Sequence, residues 1–221
     1  MFKRTLVLAM IILTLAALSG CIAKPGESPT VLSYSLPTTL SIALGEALPG
    51  TDIVYARFTE DGPRFTIDGQ DALKKVGDSV RWKGVHAPGV EVDLKLRVAH
   101  ASEQSVRLVG TAKVTISDAA PKAAPSNETR IKYTGPVAYG VSPEGIIPGT
   151  PLTYVGVHEE SAELGGLGEY PYRSVGDSIL WEGSLSANTW IKVDVRVVQF
   201  DEKGLRVAGL VTLWVSEHPV D

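Results

Sequence analysis

A single cysteine among 221 residues leaves this chain no internal disulfide, so whatever domains it forms must be held by packing alone. No basic run exceeds Lys74-Lys75, and the formal net charge is −4. Phosphate backbones are bound by clustered cations, so a nucleic-acid partner is not expected. Beyond the N-terminal leader no segment repeats its apolar residues at the helical period of about 3.6. His86, His100, His158 and His218 are dispersed and do not make a zinc set or a triad by spacing. No Asp-x-x-His occurs and no Gly-rich phosphate loop follows a strand. Hydrolase, metal and nucleotide-cofactor readings therefore lack their residues, and the chain reads as a non-enzyme without cofactor.

What the chain does contain, it contains twice. Pro49-Gly50-Thr51, Tyr55, Gly77-Asp78-Ser79, Trp82, Gly84, Arg97-Val98 and Gly110 return as Pro148-Gly149-Thr150, Tyr154, Gly176-Asp177-Ser178, Trp181, Gly183, Arg196-Val197 and Gly209, every pair 99 positions apart. A separation that long indicates duplicated domains rather than a solenoid. The expected organisation is a signal peptide at 1–20, a lipidated tether at 21–30, a first β domain at 31–117, a linker at 118–129 and a second β domain at 130–217. Pro121 and Pro125 interrupt any helix in the linker, and Asn127-Glu128-Thr129 matches a glycosylation sequon by chance composition.

Strict alternation marks the strands. Val92, Leu94, Leu96 and Val98 alternate with Asp93, Lys95 and Arg97, and Ile191, Val193, Val195 and Val197 alternate with Lys192, Asp194 and Arg196. Period two places one face of each strand in a core. The segments from Val106 to Ile116 and from Leu205 to Val215 repeat the pattern and follow short polar connections, as hairpin partners do. Further strands are expected from Asp78 to about His86, from Asp177 to about Leu185, and around Ile53 and Leu152. The expected fold class is all-β: two tandem homologous antiparallel β-sandwich or small β-barrel domains.

The leader carries Lys3-Arg4 and then an uncharged apolar run from Leu6 to Leu18, too short and wrongly flanked to span a bilayer, which is the form of a secretory signal. The run ends in Leu18-Ser19-Gly20-Cys21. This tetrad resembles the lipobox of bacterial lipoproteins. The resemblance implies cleavage before Cys21 and acylation of its thiol, and Ile22 after the cysteine resembles the pattern sorted to an outer membrane where a cell has one. Two or three acyl chains hold a protein durably, where one holds it marginally. The Pro-, Gly- and polar-rich residues 22–30 then serve as a tether whose nine residues span roughly 30 Å when extended. Without Lys3 and Arg4 the net charge falls from −4 to −6.

Most repeated residues read as fold determinants. Proline and glycine at 49–51 and 148–150 suit turns, and Asp78 and Asp177 suit side-chain bonds to nearby amides. Trp82 is expected over Gly110, and Trp181 over Gly209, inside the two cores. Arg97 and Arg196 belong to outer faces. Departures between the halves are more informative for function. Leu180, Trp190, Leu210 and Trp214 occupy outward positions where the first half has Arg81, Glu91, Thr111 and Thr115. They mark a candidate surface for contact between the halves, for a protein partner or for a glycan stacked on Trp190 and Trp214. Gly176-Asp177-Ser178-Ile179 is similar to the nucleophile motif of GDSL hydrolases, but both halves place it at a strand start. His158 with Glu163 is the pair an enzyme would have to use, and Glu159, Glu160 and Glu163 read as solvated loop carboxylates rather than a calcium site. The expectation is a membrane-anchored, non-catalytic binding or structural module of the cell envelope, facing the periplasm or the outside. Its alternatives are a carbohydrate- or cell-wall-binding module and a subunit of a secreted or envelope complex.

Overall fold

The computed structural model describes residues 22–23, 31–125, 129, 131–168 and 170–216. The leader, Cys21, most of the tether, Asn127-Glu128 and His218 lie outside the described residues. The elements are β1 (Ile22–Ala23), β2 (Val31–Ala43), β3 (Val54–Thr59), β4 (Gly62–Ile67), β5 (Gln70–Leu73), β6 (Ser79–Ala87), β7 (Val90–Ala101), β8 (Ser105–Ser117), β9 (Lys122–Ala123), β10 (Ile131–Val141), β11 (Thr153–His158), β12 (Ser161–Gly165), β13 (Tyr172–Arg173), β14 (Ser178–Ser186), β15 (Thr189–Asp201) and β16 (Gly204–Val215). The protein is all-β.

Two larger sheets carry the alternating strands, ordered β2-β8-β7-β6 and β10-β16-β15-β14, with β9 added beyond β14 and β1 parallel to β10. Two three-stranded sheets, β3-β4-β5 and β11-β12-β13, complete the set. All four sheets stay open, which favours the layered form over a barrel. β11 and β12 lie against β15, and β3 lies against β2, so each small sheet covers part of a larger one. Between the layers Tyr55, Phe65, Tyr154 and Leu164 are buried with the inward rows of the long strands. The alternation of β7 reappears as burial, with Val92, Leu94, Leu96 and Val98 inside. One connected apolar core runs through both halves.

Pairing registers recur at the spacing of the sequence repeat. Leu36 faces Ala112 as Gly135 faces Val211, and Trp82 faces Leu94 as Trp181 faces Val193. The bulges after Tyr55 and Val98 recur after Tyr154 and Val197. Local bonds recur as well. Thr51 and Thr150 each donate a hydroxyl to the carbonyl three residues back, at 2.9 Å. Asp78 and Asp177 accept from the amides of Lys75 and Ser174 at 2.7 and 2.8 Å. Arg97 and Arg196 reach back to the carbonyls of Gly77 and Gly176 at 2.7 and 2.9 Å. Their guanidinium groups therefore pin turns.

Two expectations are corrected. Trp82 does not lie over Gly110, nor Trp181 over Gly209. Each indole folds along its own strand, onto Gly84 and Gly183, where a Cβ would overlap the ring. Gly110 and Gly209 serve a different approach: a Cβ there would strike the carbonyls of Lys95 and Asp194 on the neighbouring strand. The linker also does more than connect. Its Lys122 and Ala123 pair with Ser184 and Gly183, and the amide of Ala120 donates to the Leu185 carbonyl at 2.9 Å, so backbone bonds cover the β14 edge.

The halves meet where β2 passes β10, at equivalent residues. A Cβ on Gly135 would lie 2.9 Å from Leu36, its counterpart in the repeat. The neighbouring contacts are reciprocal: Tyr34 reaches Gly149, while Tyr133 reaches His86 beside Gly50.

Candidate functional site

The outer face of the β10-β16-β15-β14 sheet carries the departures singled out in the sequence. Cross-strand pairing aligns Leu180, Asp194, Leu210 and Pro136 in one row, and Ser184, Trp190, Trp214 and Lys132 in another. Paired residues of an antiparallel sheet point to the same face, so each row forms a band across it. The rows have opposite fates. Leu180 is 56% exposed and Leu210 50%, whereas Trp190 is 8% and Trp214 4% exposed. The Lys132 ammonium sits 5.5 Å from the Trp214 ring centre, a cation–π distance.

This splits the candidate surface. Leu180 and Leu210 are exposed apolar side chains flanking Asp194, with Val198, 54% exposed, on the same strand as Asp194. Trp190 and Trp214 are brought together, but as a buried pair, so they offer no open platform to a sugar ring. The glycan surface expected from those two indoles is therefore not available on the described molecule.

The contact between the halves is built from polar aromatics. His86 is buried, its Nδ1 2.9 Å from the Gly50 carbonyl and its Nε2 2.8 Å from the Tyr133 hydroxyl. With Nδ1 protonated, the imidazole donates to Gly50 and accepts from Tyr133, which satisfies both buried partners. The second half has Leu185 at the place of His86, and the matching Tyr34 meets Gly149 without such an acceptor. The Tyr34 and Tyr139 hydroxyls lie near each other, and neither makes a direct hydrogen bond of good geometry. Burial pushes the phenols of Tyr34, Tyr133 and Tyr139 well above the usual tyrosine range, and for Tyr34 the neighbouring Tyr139 adds to the effect.

His158 and Glu163 both lie beside Tyr172, which pairs with Glu163 across the strands. His158 stacks on Tyr172, ring centres 4.4 Å apart, and Tyr170 meets Tyr172 edge-on at 5.2 Å. Among the described residues no three His, Cys, Asp or Glu side chains are grouped to hold a metal ion, and no helix is long and apolar enough to cross a membrane. Set against known protein families, curated proteins and solved structures, the chain matches none of them.

Sequence reasoning passed over the surroundings of Trp82. The signal was present in the repeat: Asp52, Asp68 and Lys83 stand where the second half has Pro151, Leu167 and Glu182.

Proposed function

We propose that this chain is a lipoprotein, anchored to a membrane through Cys21, whose two β units are copies of one ancestral domain and act as a non-catalytic binding or structural module of the cell envelope. The observation that carries this reading is Leu18-Ser19-Gly20-Cys21 at the end of an uncharged apolar run behind Lys3-Arg4. Residue types, order and position all resemble a lipobox, and acylation gives the lone cysteine a role. A layered antiparallel fold suits display at a surface, because a packed core fixes the outer side chains without a disulfide. An acidic chain leaves nucleic acid an unfavourable partner. Detergent phase separation tests the anchor. The native protein is expected in the detergent phase and the Cys21→Ser variant in the aqueous phase; equal partitioning of the two would defeat the proposal.

Leu180 and Leu210 favour the alternative in which the module is a subunit of an envelope complex. Two half-exposed leucines in one row are the sort of apolar surface that a partner covers. Site-specific crosslinking from Leu210 in the native cell is expected to recover one dominant protein, and a diffuse set of neighbours would count against it.

A further inference from the structure

The first half carries a shallow cleft, wide open to solvent, lined by Gly50, Thr51, Asp52, Asp68, Trp82 and Lys83. Trp82 is fixed before any ligand arrives. Its ring rests on Gly84, it stacks on His86 with ring centres 5.1 Å apart and planes 26° apart, and its Nε1–H donates to Asp52 Oδ1 at 2.8 Å. A ring so held loses little rotamer freedom on binding. Asp68 enters the cleft from the turn between β4 and β5, where its φ is +51°. Lys83 Nζ is 2.5 Å from Glu91 Oε1, so its charge is paired while its stem lines the wall.

The second half serves as an internal control. Trp181 holds the same place and folds onto Gly183 in the same way, yet the positions matching Asp52, Asp68 and Lys83 are Pro151, Leu167 and Glu182, and Leu167 packs against the core. The fold thus seats a tryptophan here with no carboxylate at the positions of Asp52 and Asp68. Asp52 and Asp68 are carboxylates that the second half lacks at the matching positions, and both line the cleft of the first half.

We propose that the cleft at Trp82 binds one pyranose ring of a glycan. A pyranose offers an apolar face of C–H groups to the indole and hydroxyls around its rim, which the Asp52 and Asp68 carboxylates accept as charge-assisted hydrogen bonds. An alkylammonium group would use the same ring and carboxylates, and titration with each separates the two; Asp52 already accepts from the neutral Trp82 N–H and keeps an oxygen for a hydroxyl donor. The site gives the binding role proposed above a ligand class; it rests on that reading and not on the lipid anchor, so Cys21→Ser abolishes attachment while leaving sugar binding intact.

Titration of the full chain in detergent with cellotetraose, chitotetraose and mannotetraose, followed through the Trp82 indole N–H resonance assigned with Trp82→Phe, tests this. At least one of the three is expected to shift that resonance with a Kd of about 1 mM, as befits a single open subsite. Asp68→Asn is expected to weaken binding about tenfold, and Trp181→Phe to leave it unchanged. No shift with any of the three sugars at about 10 mM, a shift indifferent to Asp68→Asn, or a response to tetramethylammonium without a response to sugars would each overturn the proposal.

Discussion

The Nε2 atom of His86 lies 2.8 Å from the hydroxyl of Tyr133, joining residues of the two halves inside a contact closed to solvent. Removing either partner leaves a buried polar group without its bond, which costs about 1–3 kcal/mol. His86→Leu, which installs the residue the second half carries, is expected to lose about 2 kcal/mol. Tyr133→Phe loses a similar amount, and the double variant loses less than the two together. Urea unfolding of the four proteins gives the coupling; strict additivity would show that the bond contributes nothing between the halves.

Gly110 and Gly209 of the long sheets make a sharper test of backbone packing. Gly110→Ala drives a methyl group into the Lys95 carbonyl, and Gly209→Ala drives one into that of Asp194. Each is expected to cost about 3 kcal/mol, since overpacking a rigid site is not relieved by side-chain motion. Gly140→Ala, with nothing within 4 Å of its new Cβ, is expected to change stability by no more than about 0.5 kcal/mol. Thermal melts compare the three directly.

On the outer face of β14 to β16 the two rows respond differently. Trp190→Ala empties a buried position and is expected to cost about 3 kcal/mol. Leu180→Arg with Leu210→Thr, which restores the residues of the first half, stays within about 0.5 kcal/mol of the parent in denaturant melts. The same double variant is expected to lose the dominant crosslinked partner. A melt shifted by several kcal/mol would place these leucines in the core of the protein instead.

Much of the fold was legible because it is written as alternation. The inward rows of β7, β8, β15 and β16 follow from period two, and the Thr51, Asp78, Thr150 and Asp177 bonds follow from short polar side chains beside glycine turns. The alternation says which face a residue takes, but not what lies over that face. Trp190 and Trp214 point outward as expected and are nonetheless buried. The direction of an indole is equally silent: Trp82 folds along its strand onto Gly84, a rotamer choice that spacing does not encode. Strand β9 has no apolar pattern because only its backbone pairs with β14. His86 with Tyr133 depends on how the halves meet, which neither half records alone.

The buried phenols set an alkaline limit. Tyr34, Tyr133 and Tyr139 have folded pKa values raised above 10.0, the ordinary value that each recovers on unfolding. Below pH 10 both states keep these protons, so stability is unaffected. Above it the unfolded chain releases them first, and stability falls with rising pH by about 1.4 kcal/mol per unit for each tyrosine. Ultraviolet titration is expected to show these three ionising together with cooperative unfolding; their gradual ionisation near pH 10 in a protein that stays folded would contradict their burial.

The most direct test of the proposed role is mass spectrometry of the N-terminal peptide of the mature protein taken from its native membrane. Lipid attachment predicts a chain that begins at Cys21 and carries a thioether-linked diacylglyceryl group. An unmodified Cys21 thiol, or a mature chain still bearing residues 1–20, would contradict it.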